Sequence, residues 1–106
     1  MTDTELIYIE FDNPDLESLQ VASQPTRLKI LNSLTKRKMY ASNLAQELGV
    51  ERKVIAFHLN ALEKAKLVKS EFGLTEYRRP AAVKYFEITA KGKDIFEKIL
   101  KILEIK

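Results

Sequence analysis

Residues 41–68 read ASNLAQELGVERKVIAFHLNALEKAKLV, and this stretch decides the fold. The spacing of its apolar residues predicts a short helix, a turn and a longer helix. Ser42 offers a side-chain oxygen as the N-cap of the first helix. Gly49 suits the position just after a helix at which the backbone adopts the left-handed conformation. The second helix is expected to begin near Glu51.

The second helix has two distinct faces. Ile55, Leu59 and Leu62 recur at the spacing of an inward-facing stripe. Long cations bind guanine and side-chain amides bind adenine, so the opposite face has the composition of a DNA-reading surface. Its residues are Arg52, Lys53, Ala56, Phe57, Asn60 and Lys64. The layout is typical of a helix-turn-helix that binds DNA. The alternative is an ordinary helical hairpin within another all-α domain.

After this helix the apolar period changes from 3.6 to 2, which predicts two strands, Leu67–Phe72 and Val83–Thr89. We expect Val68, Ser70 and Phe72 on one face and Phe86 and Ile88 on another. Between the strands lies GLTEYRRPAA, residues 73–82, a basic loop too long for a tight turn. Two strands joined by such a loop after a recognition helix make a winged helix. The loop residues predicted to contact phosphates or a minor groove are Tyr77, Arg78 and Arg79. A merely solvated loop is the alternative.

The segments before the helix-turn-helix are less regular. Residues 6–11 read as a short strand or an extended arm. A helix is expected from Pro14 to about Ala22, and another from Pro25 to about Thr35, each with Pro in its first turn. The first should carry Leu16, Leu19 and Gln20 along one side, and the second should bury Leu28, Leu31 and Leu34. A basic loop predicted to hold phosphates follows, formed by Lys36, Arg37 and Lys38.

The C-terminal helix is expected to begin after Thr89 as its cap and to carry two apolar seams. One seam contains Ile95, Ile99 and Ile102, and the other contains Phe96, Leu100 and Leu103. One small domain would cover a single seam, so the pattern predicts a homodimer that buries both about a two-fold axis. The alternatives are a helix of another protein or the N-terminal helix of the same chain.

Charge is distributed unevenly along the 106 residues, which carry a formal net charge of +3. Residues 1–20 hold six of the 15 acids and no Lys or Arg, whereas the rest hold all 18 bases and nine acids, a net +9. A basic body is the electrostatic footprint of a polyanionic partner. A well-solvated surface is the alternative.

The amino-acid composition further restricts the class of protein. The chain has no Cys, which disfavours disulfides and thiolate metal sites and leads us to expect a cytoplasmic protein. It has neither an apolar run long enough to span a membrane nor the basic start of a signal peptide. We find no nucleophile with a base, phosphate loop or paired carboxylates, so neither an enzyme nor a cofactor is expected. The content of Lys, Glu and Ile leans towards a thermophile.

Several fragments resemble one family of regulators. They are QPTRLKIL at 24–31, SNLAQELGV at 42–50, AFHLNALEKAKLV at 56–68 and KYFEITAKG at 84–92. Over residues 16–98 the chain resembles the ArsR-type winged helix-turn-helix transcription regulators, with MarR-like character at the C-terminal end, and an archaeal member is expected. The resemblance implies an α+β, mainly α fold in a single domain over 1–106. Its parts would be an N-terminal arm (1–13), the helix-turn-helix (41–65), a two-stranded wing (67–89) and a dimerisation helix (90–106).

Four positions depart from the family pattern or need separate interpretation. Ala56 stands where the family usually has Ser, Glu51 replaces a Ser or Thr cap, and Lys66 replaces a Gly. His58 occupies the family's His position. Its role is either functional, as a phosphate contact or a pH switch, or structural, packed between the recognition helix and the wing. With one His and no Cys, metal sensing is not carried over.

The sequence therefore predicts a homodimeric regulator that binds specific double-stranded DNA, with no membrane partner. A protein-interaction winged helix and a non-specific architectural DNA-binding protein are the alternatives. Salt-insensitive, weak DNA binding would mark the first, and equal binding to all sequences would mark the second.

Overall fold

A computed structural model of the chain describes residues 15–105, in which five α-helices surround one three-stranded antiparallel sheet. The strand or arm expected at 6–11 lies outside the described residues. The helices are α1 (Leu16–Ala22), α2 (Pro25–Leu34), α3 (Ala41–Leu48), α4 (Arg52–Lys64) and α5 (Ala90–Ile105). The strands are β1 (Met39–Tyr40), β2 (Val68–Leu74) and β3 (Ala82–Ile88), in the order β1-β3-β2. This architecture confirms the predicted winged helix-turn-helix fold.

Helix α1 begins at Leu16, with Asp15 as its N-cap. Pro14, which the sequence predicts as the first helical residue, lies outside the described residues. Ser18 and Ala22 are its buried residues, Leu16 and Leu19 of the predicted side are half-buried, and Gln20 is exposed. A seven-residue helix has too few apolar positions for its period to define a face.

Helix α2 begins with Pro25, as predicted, because a fixed φ and a missing N–H suit the first helical position. It buries Ile30, Leu31 and Leu34, but Leu28 is only half-buried. The prediction of a buried Leu28 was therefore wrong. The helix packs against α3, α4 and α5, so its buried side is wider than a single stripe.

Strand β1 was not predicted, because two residues carry no periodicity. Met39 pairs with Phe86 and Tyr40 with Tyr85 across the ladder to β3. Helix α3 follows without a break, and Tyr40 is its N-cap. Ser42 therefore lies inside the first turn and does not cap the helix, which corrects the expectation for that residue. No side chain bonds to the free amides at this end of α3.

The turn of the helix-turn-helix follows the prediction. Gly49 has φ 65° and ψ 35°, the left-handed conformation that glycine adopts at least cost. Val50 is half-buried and its amide donates to Ala45 O over 3.1 Å. Helix α4 then starts at Arg52, with Glu51 as an N-cap whose side chain makes no capping bond. Ile55, Leu59 and Leu62 are buried, as expected of the inward face.

Helix α4 is followed by a residue in a costly conformation. Lys66 has φ 63°, and it stands where the family pattern usually has glycine. The amide of Lys66 donates to Glu63 O over 2.9 Å, and that of Leu67 to Leu62 O over 3.0 Å. These two bonds form a Schellman motif, which satisfies carbonyls left free at the end of the helix.

Strands β2 and β3 form the wing, with Val68 opposite Ile88 and Ser70 opposite Phe86. Directly opposed residues of an antiparallel pair point to the same side of a sheet. The expectation that Phe86 and Ile88 lie on a different face from Val68 and Ser70 is therefore wrong. This shared inner face packs on the core, and Phe72 continues it towards the wing tip.

Helix α5 begins at a tight junction with the wing. Thr89 caps it, as predicted, with Oγ1 accepting from Gly92 N over 3.0 Å and donating to Lys66 O over 2.7 Å. Gly92 lies so close to the wing that an added Cβ would overlap Leu67 O and approach Ile88 Cγ1 to 2.8 Å. Ile95, Phe96 and Ile99 are buried in the core of this same chain, so the two predicted seams are not both free.

The core is continuous from α2 through α4 and the inner face of the sheet to α5. Its members include Ile30, Leu44, Leu59, Phe86 and Ile95. Within residues 15–105, no helix has the length and apolar content needed to cross a lipid bilayer.

Candidate nucleic-acid interface

The outward side of α4 is a surface free of contact with the protein core. At 100° per residue, Lys53, Phe57, Asn60 and Lys64 fall within an arc of about 60° opposite the buried stripe. All four are exposed, and the ring of Phe57 keeps 65% of its surface accessible. Two cations, an amide and an aromatic ring are thus presented together on one side of the helix.

Arg52 and Ala56 lie nearer the sheet and, together with Asn60, form one wall of a cleft of about 450 Å³. The wing supplies the opposite wall through Phe72, Val83 and Lys84. We call this space the wing cleft. Its remaining lining comes from the β1–α3 junction, from the core and from the start of β3, namely Tyr40, Ala41, Ser42, Leu59, Phe86 and Ala82.

Side-chain contacts connect the elements that form the two walls of the wing cleft. Ser70 Oγ donates to Glu63 Oε2 over 2.5 Å, and Lys84 Nζ lies 3.9 Å from Glu63 Oε1. Glu63 on α4 is thereby connected to β2 and β3 at once. These two contacts connect the recognition helix to both strands of the wing.

The wing loop is held in place by tyrosines. The hydroxyl oxygens of Tyr77 and Tyr40 are 3.1 Å apart, and this hydrogen bond is the main reason that the pKa of Tyr77 is raised. The rings of Tyr40 and Tyr85 meet edge to face at 5.6 Å. Thr75 closes the base of the loop through Oγ1, which accepts from Ala81 N over 2.9 Å. The hydroxyl of Tyr77 is therefore engaged within the protein.

Arg78 and Arg79 lie at the exposed tip of this loop, and neither forms an ion pair with another described residue. Two unpaired guanidinium groups at a protruding tip can bind phosphate oxygens without first breaking a protein contact.

The basic loop at 36–38 adjoins the wing loop, since Arg37 and Lys38 line a pocket together with Tyr77. Lys38 Nζ lies 5.0 Å from the centroid of the Tyr85 ring, on the outer face of the sheet, and Arg37 lies 3.9 Å from Glu47 on α3. Tyr85 and Phe86 point to opposite faces because side chains alternate along a strand. The outer face is thus opposite the wing cleft. The structure does not bring Lys36, Arg37 and Lys38 together with the recognition helix.

His58 faces α2 and does not pack against the wing, which corrects the structural alternative considered for it. Its Nδ1 accepts from Nε of Arg27 over 3.0 Å, and its ring meets Phe57 edge to face at 5.3 Å. Burial lowers the pKa of His58, and the neighbouring Arg27 charge lowers it further. No group of three or more potential metal ligands (His, Cys, Asp or Glu) occurs among the residues from 15 to 105.

A second apolar surface lies at the far end of α5. Leu100, Ile102 and Leu103 keep between 41% and 52% of their surfaces exposed. Ile102 and Leu103 line a groove with Ile99, Leu19 and Leu28 from α5, α1 and α2. The exposed part of the predicted seams is therefore restricted to the last turns of α5, and α1 and α2 extend it.

Sequence analysis missed three residues that shape these surfaces. Phe72 and Lys84 were read only as parts of strands, because alternation does not distinguish a core position from a cleft position. Arg27 was seen in the fragment QPTRLKIL, but a cation in the first turn of a helix gives no sign that it is buried.

Comparisons with known proteins agree with the geometry. The family model described as bacterial regulatory protein, arsR family, matches residues 24–70, from the start of α2 into β2. An HTH-type transcriptional regulator of Methanocaldococcus jannaschii is 42% identical over 55 residues, which are 52% of this chain and 58% of the relative. The chain thus spans little more than half the length of that relative.

Solved structures extend the similarity over the whole fold. NolR from Sinorhizobium fredii is 27% identical with a TM-score of 0.66, covering 97% of this chain and 90% of NolR. A PadR family transcription regulator from Clostridium difficile has a TM-score of 0.69 at 20% identity, covering 77% of this chain and 90% of its own, and it shows the shared fold alone. These matches confirm the resemblance inferred from the sequence, and the archaeal relative is consistent with the expected origin.

Proposed function

We propose that this chain, a winged helix-turn-helix transcription regulator of the arsR type, acts as a homodimer that binds a specific double-stranded DNA sequence. The observation that carries the proposal is the exposed side of α4, where Lys53, Asn60 and Lys64 stand together and clear of the core. A helix of this length with such side chains fits the major groove of B-DNA.

Base recognition is assigned to the central part of this surface. Asn60 has the amide geometry that pairs with adenine, and Lys53 has the charge that binds guanine O6 and N7. The exposed ring of Phe57 provides an apolar surface for a thymine methyl group. Arg52 extends the same surface towards the wing.

Phosphate contacts are assigned to residues that flank the groove. Lys64 lies at the C-terminal end of α4, and Arg78 and Arg79 lie at the wing tip. Ser42, exposed in the first turn of α3, adds a hydroxyl beside the free amides of that helix end. Such contacts supply affinity and salt dependence, whereas base contacts supply sequence choice.

Dimerisation is assigned to the last turns of α5 together with α1. The half-buried Leu19 and the exposed Ile102 and Leu103 form an apolar surface with few polar atoms. In the proposed dimer, the two α4 helices lie in successive major grooves, about 34–36 Å apart. The preferred DNA site is then an inverted repeat.

Selection of bound fragments from random duplex DNA, at a stated salt concentration, tests the proposal. We expect enrichment of an inverted repeat whose half-sites are about one helical turn apart. Binding without enrichment would favour an architectural DNA-binding protein. Absence of salt-sensitive binding would favour a winged helix that binds protein.

A further inference from the structure

We propose that the free edge of β2 is a second self-association surface, through which two copies of this chain pair their wings as antiparallel strands. This surface is separate from the one proposed for dimerisation, and its pairing does not depend on DNA. Gly92 is the residue of α5 that touches the wing, and Ile102 lies roughly 15 Å further along the same helix.

One edge of β2 has no partner strand. The order β1-β3-β2 means that β2 bonds to β3 on one side only. Thr75 N donates to Ala81 O over 2.9 Å, so the odd-numbered residues of β2 form the hydrogen-bonded pairs with β3. Backbone groups alternate sides along an antiparallel strand, so those of Val68, Ser70 and Phe72 point to the free edge. No backbone group of another described residue bonds to them there.

The free edge also carries exposed apolar surface. Phe72 keeps 77% of its surface accessible and Leu74 keeps 65%, although both lie on the inner face of the sheet. Contact of such side chains with those of an added strand would remove apolar surface from water. An unpaired edge with exposed apolar side chains is a template for a further strand.

The charges on the outer face of β2 identify the partner as a second copy of this chain. If Ser70 lies opposite Ser70 of the second copy, then Lys69 lies opposite Glu71, and this contact occurs twice about the two-fold axis. The same register places Val68 opposite Phe72 on the inner face. Glu71 forms no ion pair with any residue between 15 and 105, so its carboxylate is available to the second copy.

The same charges disfavour the neighbouring registers. A shift by two residues in one direction places Lys69 opposite Lys69 of the second copy, and a shift in the other direction places Glu71 opposite Glu71. Like charges that lie directly opposite each other destabilise a strand pair. Charged side chains on an edge usually prevent pairing with other strands. Of these three registers, only the first pairs opposite charges.

The pairing should be weak. About five residues from each copy would form about six backbone hydrogen bonds, and the buried area should be well below the 1,200 Å² or so of a stable interface. We therefore expect pairing at near-millimolar concentrations and not at the micromolar concentrations used in sedimentation velocity. Together with the proposed α5 interface, this contact would join dimers into larger assemblies.

The first experiment follows the amide NMR signals of the isotope-labelled chain as its concentration is raised. We expect the signals of Val68, Ser70 and Phe72 to shift in a saturable manner. Glu71→Lys and Lys69→Glu should each abolish these shifts, because each places like charges opposite each other. Unlabelled Lys69→Glu chain added to labelled Glu71→Lys chain should restore them, because the mixed pair again opposes unlike charges. Absent shifts in the wild type, shifts that survive both changes, or no recovery in the mixture would overturn the proposal.

Matched controls carry the same charge changes away from β2. Lys29→Glu on α2 and Glu76→Lys in the wing loop alter exposed residues and should leave the shifts unchanged. Ile102→Glu with Leu103→Glu, which is directed at the proposed dimer surface, should also leave them unchanged, even if that surface proves not to form a dimer. Loss of the shifts in this last variant would show that the two surfaces are not separate and would overturn the proposal.

Disulfide trapping determines the register, since the chain has no cysteine. Lys69→Cys chain mixed with Glu71→Cys chain in a glutathione redox buffer should form the mixed disulfide faster than either chain crosslinks with itself. The reason is that the Cα atoms of such a directly opposed pair lie about 4.5 Å apart, a distance that a disulfide spans. Leu74→Cys, exposed on the same strand but opposite neither residue, should crosslink slowly with both. Equal rates in all mixtures, measured by mass spectrometry, would rule out the register.

Discussion

Nε of Arg27 on α2 donates a hydrogen bond of 3.0 Å to Nδ1 of His58 on α4, and Nη1 of the same arginine donates to Val21 O on α1 over 3.0 Å. Arg27 is buried, so this guanidinium joins three helices inside the protein. An acceptor at Nδ1 places the imidazole proton on Nε2, so His58 is neutral here. Burial and the Arg27 charge both lower the pKa of His58.

The first prediction concerns pH. The folded pKa of His58 lies below the unfolded value near 6.5, so its contribution to stability is present above pH 6.5 and is lost as pH falls towards the folded pKa. His58→Gln keeps an acceptor for Arg27 but cannot titrate. His58 is the only histidine, so the difference in free energy of unfolding between wild type and this variant isolates it. We expect urea titrations to show wild type becoming less stable relative to the variant below pH 6.5, and a constant difference would contradict the assignment.

The second prediction separates affinity from sequence choice. Arg78→Ala with Arg79→Ala should weaken binding to all DNA sequences alike. It should also reduce the slope of log affinity against log salt by about one unit for each phosphate that is no longer neutralised. Asn60→Ala or Lys53→Ala should cost roughly 1–3 kcal/mol on the selected site and much less on random DNA. Anisotropy titrations over a range of salt measure both quantities. The specificity ratio is the affinity for the selected site divided by the affinity for random DNA. If the wing variants change this ratio and the helix variants do not, the assignment is reversed.

The third prediction concerns assembly. Ile102→Glu with Leu103→Glu should give a folded monomer in sedimentation velocity, because these side chains are exposed in one chain and are proposed to be buried between two. Leu74→Glu places the same charge on an exposed leucine of the wing and should leave the dimer intact. Ile99→Glu is unsuitable, since Ile99 is buried within the chain and its loss would unfold the protein. A dimer that survives both changes on α5 would rule out this interface.

The fourth prediction concerns Lys66, whose left-handed conformation costs an L-residue roughly 1–2 kcal/mol. Lys66→Gly should raise the free energy of unfolding by about 0.5–1 kcal/mol, because glycine removes that cost but loses more backbone freedom on folding. Lys66→Ala keeps the conformational cost and serves as the control. Denaturant unfolding of the three proteins measures the difference. An equal gain with alanine would trace the effect to the lysine charge.

The fifth prediction concerns Gly92, where an added Cβ would overlap the carbonyl oxygen of Leu67. Gly92→Ala should destabilise the protein by about 1–3 kcal/mol or more, although alanine is the better helix former. Ala90→Gly lies in the same first turn at an exposed position and should lower the free energy of unfolding by about 1 kcal/mol or less. This variant shows the size of the effect that helix propensity has alone. Thermal unfolding of both variants measures the two effects. A stabilised Gly92→Ala variant would mean that α5 sits further from the wing.

Local signals accounted for most of the fold. Gly49, Pro25 and Thr89 act at single positions through backbone conformation or a cap, so the sequence located those helix ends without knowledge of the rest of the chain. The inward stripe of α4 was equally clear because it extends over three turns. Ser42 was misassigned because the true N-cap, Tyr40, is fixed by pairing with Tyr85, a residue 45 positions later.

Prediction of the functional sites depended more on contacts between residues that are far apart in the sequence. Five of the six residues predicted on the outward face of α4 are exposed, since exposure follows from helical period, whereas Ala56 is half-buried. It could not show that Lys38 lies over Tyr85 on the outer face of the sheet, or that Ile95 and Ile99 are already covered by their own chain. Both facts follow from how the sheet and α5 pack, and neither has a local signature.

Tyr40 ends β1 and also caps α3, so a single residue belongs to the sheet and to the helix-turn-helix. No linker separates β1 from α3. A rotation of α3 relative to the wing would therefore have to break the pairing of Tyr40 with Tyr85 or bend the chain at Tyr40 itself. We therefore expect the described part of the chain, residues 15–105, to bind as a preformed shape without a large folding step. Its association should carry only the modest negative heat-capacity change of rigid-body docking, without the additional 1,000–3,000 Å² or so of burial that accompanies coupled folding.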